Sequence, residues 1–183
     1  MKIYTKVGDR GQTALFGAGK VSKDHVRVEA YGSVDELNAT LAVARAHEAY
    51  EPWLAPLERI MGLLFALGAE LATPEASKRL ASLEDADIAW IESEIDTMDA
   101  ELPPLKNFIL PMGTPLCASL HLARCVCRRA ERRVVSLLNT DAEATVLGLI
   151  FLNRLSDFLF VLARAAQHKA GFEDIPWYPR KNL

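Results

Sequence analysis

The chain has 183 residues, of which 50% are hydrophobic and 25% charged, and its formal net charge is −3 at pH 7. This composition favours a single globular domain over a disordered chain, and a pI near 5.8 argues against nucleic acid as a partner. No secretory signal is expected, because a polar loop starts a few residues after Met1. Three cysteines without the spacing of a disulfide framework favour a reducing, cytoplasmic location.

The first predicted element is a glycine-rich segment. Residues 5–23 carry four glycines, at positions 8, 11, 17 and 19, interleaved with lysines. Glycine lets a backbone adopt positive φ and approach a ligand closely, and exposed N–H groups beside ammonium groups suit a polyphosphate. The spacing fits neither a P-loop, which needs glycine in place of Ala14, nor a dinucleotide-binding loop, which needs glycine in place of Ser22. A nucleotide loop and a flexible arm both remain open.

Helical periodicity starts after this segment and predicts five helices. The first begins with a capping box formed by Ser33 and Glu36. The second runs from about Pro52 to Ala72, and an N-cap within residues 82–85 precedes the third.

A proline-rich loop at residues 102–112 separates the third helix from the fourth. Thr114 followed by Pro115 predicts the start of the fourth helix, because proline is favoured at the first helical position. This helix runs to about Leu138.

The fifth predicted helix is the most apolar segment. It starts with a capping box at Thr140 and Glu143 and ends near Gly171. Asn153 and Asp157 interrupt its apolar residues before they reach the roughly 18 needed to span a bilayer, so no membrane association is expected. Buried polar groups need partners, so these two are either structural partners of arginines on the fourth helix or ligands of a nucleotide.

Short connections between amphipathic helices predict an all-α fold, a five-helix antiparallel bundle with an irregular glycine-rich N-terminal arm. Residues 1–183 form one domain in this interpretation. It divides into an N-terminal loop at 1–27, the helical bundle at 33–171 and a C-terminal tail at 172–183.

The fourth predicted helix carries five arginines within ten residues. Arg124, Arg128 and Arg132 are spaced by four and stack on one face, which His121 and Glu131 share. Guanidinium groups match phosphate geometry, so this face predicts an anion site. The alternative is a solvated or interface surface.

Other kinds of site are disfavoured by spacing. A di-iron bundle needs glutamate and histidine three residues apart, which the sequence lacks. Cys125 and Cys127 point about 200° apart on a helix, which favours packing over metal binding. No nucleophile with a general base is evident. The chain is therefore predicted to hold a polyphosphate in a reaction whose nucleophile belongs to another substrate.

Five sequence blocks together resemble the PduO-type ATP:cob(I)alamin adenosyltransferases, in order and over essentially the whole chain. The blocks are IYTKVGDRGQT, YGSVDELNA, FILPMGTPL, RCVCRRAERRVV and FLNRLSDFLF. The resemblance implies a homotrimer of five-helix bundles with active sites between subunits. It also implies transfer of the 5′-deoxyadenosyl group from ATP to cob(I)alamin, itself the nucleophile, with release of triphosphate.

The same resemblance implies roles for individual residues. The residues that would contact ATP are Thr5, Lys6, Gly8, Thr13, Lys23, Arg128, Arg129, Glu131, Arg132 and Asn153. Asp35 and Arg124 would form a salt bridge across the subunit interface beside the corrin. Phe108 would displace the lower axial ligand of cob(II)alamin; these three and Arg128 form the predicted catalytic set. Met112 departs from the small residue that the family commonly has there.

Mg²⁺ with ATP, a corrinoid reductase and a cobalamin-dependent acceptor enzyme are further partners that the resemblance implies. No carboxylate cluster identifies ligands of Mg²⁺, so the phosphates are expected to hold the ion. Two alternatives remain: a nucleotide sensor with the same loop but no catalysis, and a structural adaptor without affinity for ATP. Phe108, Asp35 and Arg124 argue against the sensor, which would need none of them.

Overall fold

Five helices form most of the part of the chain that the computed structural model describes, which confirms the predicted all-α bundle. The described residues are 2–4, 6–47, 51–79, 82–141 and 145–179. The helices are α1 (Val26–Ala46), α2 (Glu51–Leu71), α3 (Asp85–Asp99), α4 (Pro115–Leu138) and α5 (Val146–Lys169). Two short strands precede them, β1 (Gln12–Ala14) and β2 (Lys20–Ser22), and a 3-10 helix (Ala76–Lys78) lies between α2 and α3.

The helices pack in the order α2, α1, α4, α5, α3, which makes α4 and α5 direct neighbours. Their contacts are apolar side chains at three- and four-residue spacing. Leu37 and Leu41 on α1, Leu120 on α4, and Phe151 and Phe158 on α5 are essentially inaccessible to solvent. Burial of each such side chain contributes roughly 1.5–3 kcal/mol. This core fixes the faces of α4 and α5 that carry the candidate site.

α5 is the most buried helix, with apolar residues on several sides. By length and composition alone it is able to cross a membrane, which the sequence argument from interrupted apolar runs did not predict. More than half of its most apolar stretch is buried inside the bundle. A helix that other helices surround is apolar for that reason, so packing accounts for its composition.

The start of the first helix was predicted wrongly. α1 begins at Val26 rather than Ser33, and His25 caps it: His25 Nδ1 accepts a hydrogen bond from the Arg27 N–H at 3.1 Å. The Ser33 hydroxyl donates to the Glu29 carbonyl, as serine does inside a helix. A serine with glutamate three residues later caps a helix only where the preceding chain is not helical. Here the residues before Ser33 already belong to α1.

The start of the fifth helix was also predicted wrongly. Thr145 is the N-cap of α5, and its hydroxyl accepts a hydrogen bond from the Gly148 N–H at 3.0 Å. The Thr140 hydroxyl instead donates to the Leu137 carbonyl at the end of α4. Glu143, the other half of the predicted cap, lies outside the described residues.

The fourth helix agrees with the prediction at both ends. It runs over Pro115–Leu138, and the Thr114 hydroxyl accepts a hydrogen bond from the Cys117 N–H at 3.2 Å. α3 begins at Asp85 after an N-cap at Glu84, within the predicted segment.

The N-terminal arm contains a short antiparallel hairpin and is therefore not irregular throughout. β1 pairs with β2, with Thr13 opposite Val21. Gly17 in the connecting turn has a φ of 69°, a left-handed conformation that suits glycine. The Phe16 N–H donates to the Ala72 carbonyl at 3.2 Å, which ties the hairpin to the end of α2.

Candidate functional site

The arginines of α4 divide into two sets. Arg129 pairs with Glu36 at 2.6 Å and Arg133 with Glu29 at 3.5 Å, so both are directed toward α1. Arg128 and Arg132 are exposed, and neither has an ion pair with any described residue. Two neighbouring guanidinium groups without a carboxylate partner form a surface suited to a polyanion.

A polar network on α5 adjoins this surface. Asn153 Nδ2 donates to Glu131 Oε1 on α4 at 3.0 Å, and an Arg154 N–H donates to Asn153 Oδ1 at 2.9 Å. Arg154 also pairs with Glu92 on α3 at 2.6 Å. The polar residues of α5 therefore adjoin the face of α4 that carries Glu131. The contact fixes Glu131 and Asn153 beside the two arginines.

Two cysteines of α4, Cys125 and Cys127, differ in exposure. Cys127 is buried, and its thiol lies 3.2 Å from the Leu152 carbonyl, to which it donates. Burial raises the pKa of the Cys127 thiol well above its usual range, so the thiol stays protonated. Cys125 is exposed on the other side of the helix. No group of three or more potential metal-ligating side chains occurs among the described residues.

The glycine-rich loop brings some of its predicted residues together. A Cβ added to Gly8 would lie 3.1 Å from Lys23 Nζ, so the lysine side chain passes directly over the glycine. The Lys23 N–H donates to the Gly11 carbonyl at 2.9 Å, and Gly11 has a φ of 75°. Lys6 also has a positive φ, of 60°. Thr5 lies outside the described residues.

A single chain does not join the loop to the arginines. Within the described ranges, no hydrogen bond or ion pair links residues 6–23 to the exposed face of Arg128 and Arg132. The loop instead contacts the end of α2 and Lys78. The predicted nucleotide-binding residues therefore form two separate groups in one chain.

A cavity of about 860 Å³ lies next to α4. Residues 105–109 and Pro111 form one wall, and Trp177 of the C-terminal tail lies on the same side. His121, Arg124 and Phe160 form the side that belongs to the bundle. Phe108 is 81% exposed although it is a large apolar residue, so its ring is available for contact with a ligand. The structure thus places Phe108 and Arg124 in the lining of one cavity.

Asp35 lies elsewhere, in a groove between α1 and α2. Tyr31, Asn38 and Phe65 line the same groove. Asn38 Nδ2 donates to the Met61 carbonyl, whereas its buried Oδ1 has no partner in the described part of the chain. Phe65 is 74% exposed. One chain therefore does not pair Asp35 with Arg124.

His121 is a buried member of the cavity wall. Its ring meets Phe160 edge to face, with centroids 6.1 Å apart. Burial, with a smaller contribution from Arg124, lowers the pKa of His121 to about 4. The imidazole is therefore neutral at physiological pH. Its Nδ1 and the Nε of Arg124 have no hydrogen-bond partner among the residues described.

The lowered pKa of His121 predicts a pH-dependent stability. The unfolded chain binds a proton near pH 6.5 and the folded one only near pH 4, so stability falls as the pH drops between these values. We expect a loss of about 2 kcal/mol from pH 7 to pH 5, as an upper value. Urea unfolding at both pH values measures it. The H121F variant should lose markedly less unfolding free energy over the same pH range. An equal loss in the variant would contradict the assignment to His121.

The sequence did not single out Phe160 or Trp177, although both line the cavity. Phe160 belongs to a uniformly apolar helix, in which no pattern distinguishes a cavity residue from a core residue. Trp177 lies in a tail without periodicity. The apolar and aromatic residues Ile175, Trp177 and Tyr178 near the end of the chain are the one signal that could have indicated a packed tail.

The fold and site define a helical protein with an exposed arginine pair beside a large, mostly apolar cavity. A family model described as cobalamin adenosyltransferase matches residues 3–166. A corrinoid adenosyltransferase of Bacillus subtilis is 42% identical over 181 residues, which cover 97% of this chain and 92% of that protein. The corrinoid adenosyltransferase PduO of Citrobacter freundii is 45% identical over 96% of this chain, which spans about half, 52%, of that relative.

Solved structures agree with these relatives. A variant of the PduO-type ATP:corrinoid adenosyltransferase of Lactobacillus reuteri, complexed with cobalamin and ATP, superposes with a TM-score of 0.91 at 39% identity. The match covers 97% of this chain and all of that one. The chain therefore belongs to the cobalamin adenosyltransferase family, as the five sequence blocks predicted.

Proposed function

We propose that this chain transfers the 5′-deoxyadenosyl group of ATP to the cobalt of cob(I)alamin. The observation that carries the proposal is that α4 adjoins a cavity lined by Phe108 and carries two exposed arginines with no acidic partner among the described residues. The arginine surface suits a triphosphate, and the cavity suits a large, largely apolar macrocycle. Family membership supports the same reaction.

The chemistry requires little of the protein as an acid, base or nucleophile. The electron pair of cobalt(I) attacks C5′ of ATP and becomes the new cobalt–carbon bond. The C5′–O bond breaks, and triphosphate leaves with the electron pair of that broken bond. Negative charge develops on the leaving oxygen, where Arg128 and Arg132 would donate charged hydrogen bonds. Glu131 and Asn153, linked to each other, would orient the nucleotide beside these arginines.

The ATP site is proposed to lie between two copies of the chain in a homotrimer. Lys6, Gly8, Thr13 and Lys23 would come from one copy, together with Thr5, and the α4–α5 face from the next. The separation of these two groups within one chain supports this arrangement. Arg129, already paired with Glu36, would act at the margin of the site.

Other components of the reaction stay predictions. The described residues offer no cluster that fits a protein-held metal ion, so no step is assigned to Mg²⁺, which would reach the site with ATP. A corrinoid reductase would supply cob(I)alamin and a cobalamin-dependent enzyme would accept the product. A cytoplasmic location is proposed on the cysteine content.

One experiment tests the proposed reaction directly. Purified protein is mixed with ATP, Mg²⁺ and chemically reduced cobalamin, and the visible spectrum is followed for adenosylcobalamin while released triphosphate is quantified. Product and triphosphate in equal amounts are expected. ATP binding without product would favour the nucleotide sensor, and the absence of ATP binding would favour the structural adaptor.

The interface assignment predicts that D35N weakens catalysis and the trimer together. The substitution removes the charge that would pair with Arg124 of the next copy, at a cost of roughly 1.5–3 kcal/mol for a charged hydrogen bond. Activity and sedimentation are measured on the same samples. E58Q, which changes an exposed side chain bound to Arg45 in the same chain, is the control. A fully active D35N variant, or an active monomer, would contradict the assignment.

A further inference from the structure

The loop that carries Phe108 is paired with the C-terminal tail by main-chain hydrogen bonds. The Leu110 N–H donates to the Ile175 carbonyl at 2.8 Å, and the Trp177 N–H donates to the Phe108 carbonyl at 2.6 Å. Ile109 and Pro176 lie opposite each other as an antiparallel bridge. The tail therefore runs along the loop as a second strand would.

One turn of α5 holds both ends of the loop and the start of the tail. Arg164, which is 2% exposed, donates to the Pro103 carbonyl at 2.7 Å and to Asp174 at 2.9 Å. Three residues later, Gln167 Oε1 accepts from the Thr114 N–H at 3.0 Å. Its Nε2 lies 3.4 Å from the carbonyl of Glu173. These contacts fix the ends of loop and tail but do not reach Phe108.

The middle of the loop depends on the tail. Between residues 104 and 109, the Phe108 carbonyl is the main-chain group that has a hydrogen-bond partner in the described structure. The Phe108 ring is 81% exposed and has little packing of its own. The Trp177 amide is thus the contact that fixes the main chain from which the ring projects. The Trp177 side chain lines the same cavity.

We propose that Trp177 is a positioning residue that acts through Phe108. Its N–H holds the Phe108 carbonyl, and this contact sets the place of the ring in the cavity. The inference rests on the proposed function, because the role of Phe108 toward cobalt belongs to that proposal. A positioning role predicts that loss of the amide impairs the step that needs the ring, rather than all steps equally.

Two substitutions of Trp177 separate the effect of its main-chain amide from the effect of its side chain. W177P removes the N–H that donates to Phe108, whereas W177L keeps it and removes the indole. Y178P is the matched control, since the Tyr178 amide has no hydrogen-bond partner within the described residues and the side chain is 67% exposed. Circular dichroism and thermal unfolding establish that each variant is folded.

Each variant is assayed from cob(II)alamin with a reductant and from chemically prepared cob(I)alamin, both with ATP. We expect the rate of W177P to fall roughly tenfold in the first assay, which corresponds to the loss of one hydrogen bond, and to fall clearly less in the second. W177L should show a smaller difference between the assays, and Y178P none. The electron paramagnetic resonance spectrum of bound cob(II)alamin should show less of the form without a lower ligand in W177P.

Two outcomes would overturn the inference. Equal losses of W177P in both assays would show that the tail shapes the cavity without placing Phe108. Full activity of W177P in both assays, with an unchanged spectrum, would show that the hydrogen bond has no role. Failure of the unsubstituted protein to form adenosylcobalamin from cob(I)alamin would instead refute the proposed function.

Discussion

Replacement of Arg128 by lysine is expected to lower kcat/KM for ATP by roughly 10²–10³, the usual cost of losing one group that stabilises a developing negative charge. Lysine keeps the positive charge but loses the planar fork of donors that matches two phosphate oxygens. Arg128 is well suited to this test because it is exposed and has no ion pair with any described residue.

R133K is the matched control on the same helix. Arg133 pairs with Glu29 on α1 at 3.5 Å, and lysine can retain such an exposed pair at little cost. Steady-state kinetics with varied ATP are measured on both variants. A similar loss in both would indicate a general effect of the basic helix. An unchanged kcat/KM in R128K would remove Arg128 from the leaving-group site.

Local signals predicted those elements whose ends are set by local interactions. Thr114 with Pro115 is such a case, because the cap and the fixed φ of proline act within one turn. The pattern at Ser33 failed for a tertiary reason. Arg27, six residues before the predicted cap Ser33, is buried and donates to the Leu71 carbonyl at 2.7 Å, so packing against α2 adds turns to α1.

The partners of the α4 arginines depend on how the helices pack. Helical spacing placed the arginines on one helix, α4. It could not show which of these arginines would form ion pairs with acidic residues of α1. Glu29 forms an ion pair with Arg133, and Glu36 forms one with Arg129. Only the packing of α1 on α4 shows this. Trp177 was missed for the same reason: it reaches the cavity through a strand-like pairing between segments far apart in sequence.

The second large effect is expected for F108A. The variant should retain its fold and ATP affinity, because Phe108 is 81% exposed and is not among the buried core residues. The reaction that starts from cob(II)alamin with a reductant should fall by roughly 10- to 100-fold, the value of about 1.5–3 kcal/mol for the contact of a phenyl ring. In the proposed mechanism the ring displaces the lower ligand, so without it the cobalt would keep that ligand and be harder to reduce.

The reaction that starts from chemically prepared cob(I)alamin should lose less, because reduction has already taken place. F172A is the control, since Phe172 is also an exposed phenylalanine, 57% accessible, and does not line the cavity. Equal losses of F108A in both assays would mean that the ring only shapes the cavity. No loss in either would separate the cavity from the reaction, and the arginine surface would then remain as a nucleotide site alone.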